Sequence, residues 1–216
     1  MRHCGALEGH TSERGERLHP RPTWARRGFG PGAYAGAVTR EAHLVELVDD
    51  AGVHCGQSTV EAAHEAPGLL HRAFSVLVVD QAGRLLLQRR SAYKTRFPLR
   101  WANACCGHPS PGQPVTEAAA RRLVEELSVT GLDLVEIGVY AYAASDPASG
   151  RIEREYDHVL VGRVGTDLAV QPDPAEVDEV RWVSPAELRS DLVSAPDRYA
   201  PWLPGVLALL PDTPLS

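Results

Sequence analysis

The chain has 216 residues, of which 44% are hydrophobic and 23% charged, enough apolar material for one globular domain plus some extra chain. Its formal net charge of −6 argues against nucleic acid or an anionic membrane as the main partner. No apolar stretch approaches the roughly 20 residues of a membrane helix, and the N-terminus lacks the apolar core of a signal peptide. We therefore expect a cytoplasmic protein with free thiols at its four cysteines.

The first 40 residues differ in composition from the rest of the chain. Glycine, proline and arginine are scattered through them, and no apolar period is present. Such a stretch cannot bury enough apolar surface to order itself, so we predict a flexible tail at 1–40. The folded domain is expected at 41–210, with a short C-terminal tail at 211–216.

In chain order, the first strong signals are apolar runs at 73–80 and 84–90 on either side of a short glycine-containing turn, which predict a β-hairpin. Residues 100–106 are a further extended candidate. Residues 115–127 predict a helix with one buried stripe. Its apolar positions recur every four residues, at Val115, Ala119, Leu123 and Leu127.

The second half of the chain predicts more strands. Residues 133–144 and 152–164 are extended segments around the turn "SDPASG", and 179–183 is another. A final helix opens at Ser184, which has Pro185 after it and Glu187 three residues on, the pattern of a capping box. Many strands with one or two interleaved helices indicate an α+β or α/β sandwich.

The stretch "NACCGHPS" at 103–110 concentrates reactive side chains and is compatible with core packing, a disulfide, a zinc site or a catalytic pocket. No C-x-x-C pair exists, so a structural zinc knuckle is unfavoured. Alternation along an extended segment would place Cys106 and His108 on one face. The same alternation would place Cys105 on the other face with Asn103 and Trp101, as a small buried side chain.

Glu153 and Glu155 are two residues apart on a predicted strand, so both carboxylates project from one face. Alone, this pair is typical of a solvated strand face. Together with His64, His71 and His108, the inventory becomes three imidazoles and two carboxylates. That set suits Mn²⁺ or Mg²⁺ in octahedral coordination, or Zn²⁺.

Charged residues also cluster near one helix. Arg122 and Glu126 are one turn apart and share a face, which indicates either a surface ion pair or a helix that holds a magnesium–diphosphate. Arg89, Arg90 and Lys94 follow a predicted strand and are suited to binding phosphate oxygens.

Seven blocks in order resemble type I isopentenyl-diphosphate isomerase, a family of the Nudix superfamily. The blocks are "HEAPGLLHRAF", "LLLQRRSAYK", "WANACCGHP", "RRLVEEL", "YAASDP", "EREYDH" and "VRWVSP", and they span roughly residues 41 to 205. The resemblance implies an α+β fold, a Nudix-like α/β/α sandwich with a mixed β-sheet flanked by helices. It also implies interconversion of isopentenyl and dimethylallyl diphosphate by protonation and deprotonation of the alkene, for isoprenoid precursor synthesis.

The resemblance further implies roles for individual residues. Cys106 would be one acid/base residue and Glu155, assisted by Tyr142, the other, while Trp182 would face the cationic carbon. Glu126 and the Cys106 carbonyl would place Mg²⁺ on the diphosphate of the small-molecule substrate. The diphosphate itself would be held by Arg90, Lys94 and Arg122. A second site for Mn²⁺, Mg²⁺ or Zn²⁺ would be formed by His64, His71, His108, Glu153 and Glu155.

Departures from the family pattern leave competing functions to test. Val60 stands four residues before the first ligand histidine, where the family usually has a lysine. Gln113, Arg122 and Ser128 break the acidic signature of Nudix hydrolases. A Nudix diphosphatase is thus disfavoured, and the presence of both Cys106 and Glu155 disfavours a catalytically silent binding module. We expect a monomer or a weak homo-oligomer.

Overall fold

The protein is described by a computed structural model that covers residues 40–211. The tails expected at 1–40 and 211–216 lie outside the described residues, apart from Arg40 and Pro211. Within the described range, the strands are β1 (Leu44–Val48), β2 (His54–Thr59), β3 (His71–Asp80), β4 (Leu85–Arg90), β5 (Trp101–Ala102), β6 (Cys105–Gly107), β7 (Leu134–Ser145), β8 (Ile152–Val164) and β9 (Val177–Val183). The helices are α1 (Val60–Ala63), α2 (Val115–Leu127), α3 (Pro185–Ser194), a 3₁₀ turn (Pro196–Arg198) and α4 (Leu203–Ala208).

Strand β3 is the centre of one mixed sheet. It runs parallel to β8 along its whole length and antiparallel to β1, β4 and β6. Beyond these neighbours, β7 pairs with β8, and β4 pairs with both β5 and β9. The predicted hairpin is present only at its turn, where Val79 pairs with Leu85, because β6 takes the place beside the earlier part of β3.

The sheet separates two hydrophobic cores, and alternation along the strands assigns each residue to one of them. On β3, Leu77 and Val79 belong to the core shared with α3 and α4. Phe74, Val76 and Val78 belong to the core under α2. Helices therefore cover both faces of the sheet, and the expected α/β/α sandwich is confirmed.

The two main helices begin where the sequence predicts. Helix α2 covers Val115–Leu127, and its buried positions include all four residues of the predicted stripe. Helix α3 is capped by the hydroxyl of Ser184, which accepts a hydrogen bond from the backbone N–H of Glu187. The strands predicted at 133–144, 152–164 and 179–183 correspond to β7, β8 and β9.

The extended segment predicted at 100–106 is interrupted. β5 pairs with β4 and β6 pairs with β3, so the chain changes strand partner between Ala102 and Cys105. Alternation does not carry across that break, and the expectation that Trp101 and Asn103 share the side of Cys105 is wrong. Trp101 packs in the core of α3 and α4, whereas Cys105 packs under α2.

The described residues also bear on the predicted free thiols and on the predicted lack of a membrane helix. Cys105 and Cys106 are free thiols, as expected for these two cysteines. Among residues 40–211, no helix combines the length and apolarity needed to cross a bilayer.

Candidate active site

A cavity of about 810 Å³ opens at the edge of the sheet near the N-terminal ends of β3 and β8. One end is lined by His108, Glu153 and Glu155, and the other by basic residues that include Lys94 and Arg122. Between the two ends lie further groups with possible chemical roles, namely Cys106, Tyr142 and Trp202.

Three histidines from separate elements meet at the first end. His64 follows α1, His71 begins β3 and His108 follows β6. Their ring centroids are 4.7 to 5.2 Å apart, and the first two side chains are fully buried. One possible ligand atom from each ring and one from Glu155 all lie within 4.8 Å of one another. The structure therefore gathers four of the five predicted ligands of this site into one cluster.

Backbone carbonyls fix the orientation of the two buried rings. Nδ1 of His64 lies 2.6 Å from the Val60 carbonyl oxygen, and Nδ1 of His71 lies 2.8 Å from that of Leu69. Each Nδ1 therefore donates to its carbonyl, which leaves Nε2 with a lone pair directed to the centre of the cluster. Nε2 of His71 is buried without a hydrogen-bond partner. A buried, unpartnered imidazole nitrogen beside a carboxylate fits a divalent metal.

The register of the strands brings the carboxylates to the same place. Glu155 lies opposite His71 on one side and Tyr142 on the other. Its carboxylate accepts a hydrogen bond from the Tyr142 hydroxyl at 2.6 Å and lies 3.0 Å from Nε2 of His108. Glu153 is the fifth predicted ligand, and its Oε2 lies 2.8 Å from Nε2 of His64. The two carboxylates thus project from one face of β8, as the sequence predicts, and Tyr142 projects from the same side of the sheet.

A buried arginine contacts the second carboxylate. Arg96 donates from Nε to Glu153 at 3.1 Å and from Nη1 to Glu41 at 2.9 Å. One Glu153 oxygen is therefore held by Arg96, while the other faces the histidines. Sequence analysis missed Arg96, because nothing in the run "KTRFP" links it to a residue 57 positions later.

Burial sets the protonation of this cluster. Burial and the neighbouring His108 lower the pKa of His71 to about 3, and burial also lowers that of His108. Burial and the charge of Glu153 raise the pKa of Glu155 to about 7. Burial alone would raise the pKa of Glu153, but the contact with His64 and the charge of Arg96 outweigh it and hold that pKa well below its usual range. The imidazoles of His71 and His108 are thus neutral at physiological pH, the form that binds metal.

The two adjacent cysteines lie in different surroundings, as predicted. Cys105 is fully buried under α2, whereas Cys106 is partly exposed and lines the cavity. Gly107 lets the chain pass close to Phe74, because a Cβ there would lie 2.9 Å from the phenyl ring. Burial and the nearby Asp157 raise the pKa of the Cys106 thiol to about 12. The thiol is therefore protonated at neutral pH.

The tryptophan that lines the cavity is Trp202, not Trp182. Trp182 lies on β9, where it pairs with Leu86 of β4, and it packs in the core under α2. The Arg84 guanidinium lies 5.8 Å from its ring. That core lies on the opposite face of the sheet from the one against which Cys106 packs. Trp202 precedes α4, and its ring lies 6.1 Å from that of Tyr142 and 5.4 Å from the Arg90 guanidinium. Local sequence gives no signal for this, because α4 reaches the site only through packing.

The second end of the cavity is a network of cations and carboxylates. Nζ of Lys94 donates to Glu126 at 2.9 Å and also to Glu176, and Arg122 contacts the same two carboxylates. Arg40 pairs with Glu176 as well. Burial alone would raise the pKa of Glu126, but the charges of Lys94 and Arg122 lower it to about 2. The predicted Lys94, Arg122 and Glu126 are thus brought together, with Arg40 and Glu176 added by the fold.

Arg90 occupies a bridging position. It is buried and lines the cavity, but two of its donors are engaged by the carbonyl oxygens of Arg96 and Phe97, at 2.8 and 3.1 Å. Phe97 has a positive φ of 46°, which is uncommon outside glycine. Arg90 therefore holds the loop that carries Lys94 and Arg96 as well as facing the cavity.

The fold of the chain matches a known domain family and a solved structure. The NUDIX domain family model matches residues 69–204 of the chain. The crystal structure of DR0079 from Deinococcus radiodurans superposes with a TM-score of 0.60 at 19% identity, covering 77% of this chain and 98% of that one. At this identity the match shows a shared fold only. The fold and the family model together define the chain as a NUDIX-domain protein.

Curated relatives narrow the class. The isopentenyl-diphosphate Delta-isomerase of Nocardia farcinica is 58% identical over 76% of this chain and 93% of its own length. The isopentenyl-diphosphate Delta-isomerase of Streptomyces coelicolor is 48% identical over 78% of this chain and 84% of its own length. The chain belongs to the type I isopentenyl-diphosphate isomerase family of the Nudix superfamily.

Proposed function

We propose that the chain interconverts isopentenyl diphosphate and dimethylallyl diphosphate, and that this reaction takes place in the described cavity. The main support for placing the reaction in this cavity is that all the chemical groups it needs line the cavity together. A thiol, a carboxyl group and an indole face the cavity between a histidine cluster and a cationic end. The family relationship supports the reaction, and the geometry of the cavity supports the choice of residues.

Cys106 and Glu155 are the proposed acid/base pair. The reaction adds a proton to one carbon of the alkene and removes one from another, and in the reverse direction the two groups exchange roles. The Tyr142 hydroxyl holds the Glu155 carboxylate in place at the cavity, where it can accept or return a proton. Positioned proton transfer of this kind contributes typically about 10²–10⁴-fold in rate.

Trp202 is the proposed partner of the developing cation, in place of Trp182. Protonation of the alkene gives a tertiary carbocation, which bulk water would trap. An indole face stabilises a desolvated cation by roughly 2 kcal/mol. Trp202 lines the cavity beside Tyr142, and its buried side chain also keeps water out.

The cationic end is the proposed diphosphate subsite. Arg90, Lys94 and Arg122 are the predicted contacts, and Arg40 and Arg121 line the same part of the cavity. Glu126 lies between Lys94 and Arg122, where its carboxylate would hold the Mg²⁺ that accompanies a diphosphate, together with the Cys106 carbonyl. Binding energy from this end, remote from the reacting carbons, can orient the alkene between Cys106 and Glu155.

The histidine end is the proposed site of a second divalent metal. His64, His71, His108, Glu153 and Glu155 would hold it, and three nitrogens with two carboxylates suit Mn²⁺, Mg²⁺ or Zn²⁺. When bound, the metal supplies positive charge next to Glu155, which lowers the basicity of that carboxylate and fixes its position. The carboxylate and the Tyr142 hydroxyl then present the proton at one defined point of the cavity.

A product assay separates this function from the two alternatives. Purified protein with Mg²⁺ and isopentenyl diphosphate should yield dimethylallyl diphosphate and no inorganic phosphate. Release of phosphate would identify a Nudix diphosphatase, and binding without any product would identify a silent module. Protein with Cys106→Ala and Glu155→Gln serves as the negative control, since it lacks both proton-transfer groups.

The substrate is the proposed partner, and we propose no role for nucleic acid or membrane. The cavity and its cations fit a small prenyl diphosphate. A monomer or weak homo-oligomer in the cytoplasm stays the prediction from sequence. The cytoplasmic location is supported by the chemistry of Cys106, which must be a reduced thiol to transfer a proton. Reducing compartments keep thiols in that state. Size-exclusion chromatography with light scattering tests the oligomeric state.

A further inference from the structure

Asn103 is a fully buried amide between β5 and β6, beside the cavity. Its Nδ2 donates to the carbonyl oxygens of Val76 at 3.2 Å and Cys105 at 2.7 Å. Both amide hydrogens therefore have backbone acceptors, and these two bonds decide which way the amide group faces. The amide oxygen points away from those carbonyls.

That oxygen accepts from two groups of the proposed active site. Sγ of Cys106 lies 3.2 Å from Oδ1 of Asn103, and Nε1 of Trp202 lies 3.1 Å from the same atom. An indole N–H can only donate, which confirms that the oxygen, not the nitrogen, faces Trp202. One atom thus connects the thiol and the aromatic ring.

The Cys106 thiol has one other polar contact, with Ser75, and this contact does not replace Asn103 as the acceptor of the S–H group. Oγ of Ser75 lies 3.7 Å from Sγ, and its hydroxyl hydrogen goes to Oδ2 of Asp157 at 2.8 Å. Toward the sulfur, Ser75 therefore offers a lone pair at longer range. Oδ1 of Asn103 is the nearer acceptor for the S–H group.

We propose that Asn103 is a positioning residue for the isomerisation, which fixes the Cys106 sulfur and the Trp202 indole relative to each other through one shared amide oxygen. This inference rests on the proposed function. The carbon that exchanges a proton with Cys106 must lie beside the carbon that carries the positive charge, so both groups have to meet the substrate with one spacing. A misplacement of about 1 Å can cost about 10²-fold in rate.

The first experiment separates positioning from binding. Asn103→Ala should lower kcat by about 10-fold or more, because it releases both groups at once. The Michaelis constant should change by less than about 3-fold, because no cation of the diphosphate subsite contacts Asn103 in the described structure. Cys105→Ala is the matched control, a fully buried neighbour whose side chain faces α2, and it should keep kcat. A kcat for Asn103→Ala within 2-fold of wild type overturns the proposal.

The second experiment uses two ligands to exclude a merely structural role. A tertiary-ammonium diphosphate of substrate length imitates the cation, whereas inorganic diphosphate occupies only the charged end. Asn103→Ala should weaken the first ligand by about 10-fold and leave the second unchanged. Equal weakening of both ligands would indicate general damage and overturn the proposal. Activity of the wild-type protein, measured beside these variants, tests the proposed function independently.

The third experiment covers the case in which Asn103→Ala does not fold. Trp202→Phe keeps an aromatic face and keeps Asn103, but removes the N–H that the amide oxygen accepts. It should lower kcat while inorganic diphosphate binds as in wild type. If Asn103→Ala does fold, the double variant should lie within about 3-fold of the poorer single variant, because the two act through one hydrogen bond. Fully multiplicative losses, or a Trp202→Phe variant with wild-type kcat, would contradict the shared role.

Discussion

The two ends of the cavity are built in different ways. At the histidine end, buried side chains are placed mainly by strand register, as in the His71–Glu155 and Glu155–Tyr142 pairs, with His64 and His108 added from the ends of α1 and β6. At the cationic end, long side chains from α2 and two loops are held by carboxylates, as where Glu176 contacts Lys94 and Arg122. The first arrangement is fixed by the fold, and the second by charges that a ligand can replace.

This difference separates the expected roles of the ends. Groups placed by register have their geometry before a substrate arrives, as reaction chemistry requires. Paired cations must exchange carboxylate partners for diphosphate oxygens, so their contribution is to binding. Substitutions near the histidine end should therefore change turnover or metal content, and those at the cationic end should change the Michaelis constant.

The largest expected effect tests the adjacent cysteines. Cys106→Ala removes one proton-transfer group and should lower turnover by at least about 10²-fold, with metal content unchanged. Cys105→Ala removes a buried sulfur and should lower stability modestly, with turnover within a few-fold. Steady-state kinetics and metal analysis measure both. If Cys105→Ala is the inactive variant, or Cys106→Ala also loses metal, the assignment of Cys106 is wrong.

Metal removal tests the register-built end directly. Mn²⁺ added to metal-depleted protein should raise the melting temperature, since a ligand that binds only the folded state stabilises it. His71→Ala should abolish most of that rise, because it deletes the unpartnered Nε2.

His158→Ala is the matched control for that experiment. His158 lies on β8 but pairs with Glu136 outside the cavity, so its loss should keep the rise. A rise in His71→Ala equal to that of wild type would place the metal elsewhere.

The cationic end is tested by Arg122→Ala. A lost charge-assisted contact is worth roughly 1.5–3 kcal/mol, so the Michaelis constant should rise by about 10-fold or more while kcat changes little. Arg89→Ala is the control, because Arg89 pairs with Asp178 outside the cavity. A fall in kcat alone would break the proposed division between the two ends.

Val60 offers a smaller gain at the cavity wall. It lines the cavity where the family usually has a lysine, and it also packs against Val45 and Ala63. Val60→Lys should lower the Michaelis constant by a few-fold, about 1 kcal/mol for one partly exposed charge-assisted contact. Val60→Met controls for the added length without the charge. Equal Michaelis constants for the two variants would show that no diphosphate oxygen lies within reach.

The smallest expected effect concerns the loop that joins the two ends. Asp146 accepts from the Phe97 backbone N–H at 3.1 Å and from the Ser149 hydroxyl at 2.6 Å. Burial alone would raise the pKa of Asp146, but these hydrogen bonds lower it from its usual value. A lowered pKa means that the ionised group stabilises the fold above the unfolded-state pKa and that this stability is lost as pH falls.

Asp146→Asn should therefore cost about 1 kcal/mol of unfolding free energy at pH 7. The difference from wild type should begin to shrink as the pH falls below the unfolded-state pKa, where the unfolded chain takes up a proton first, and it should be lost once the pH passes the lowered folded-state pKa. Denaturant unfolding at several pH values measures it. A difference that stays constant down to pH 2 would mean that the charge of Asp146 is unimportant.

Several parts of the site were available from the sequence because they depend on local pattern. The α2 stripe, the Ser184 cap and the strands that carry Glu153 and Glu155 follow from periodicity and turn chemistry. The opposite surroundings of Cys105 and Cys106 follow from alternation within β6. The histidines and the basic residues also stood out by residue type, and the family motifs gave them roles; the structure places them around one cavity.

Other parts depended on contacts between distant segments, and sequence reasoning missed or misplaced them. Trp202 was missed and Trp182 chosen because α4 reaches the cavity only by packing on the sheet face that carries Cys106. Asn103 was assigned to the wrong side because the chain changes strand partner after Ala102. Alternation holds only while a strand keeps its neighbours, and local pattern carries no information on which segment will cover a face. The sequence by itself thus determined the elements and most of the chemical groups, whereas the tertiary structure decided which aromatic ring faces the thiol and which amide joins them.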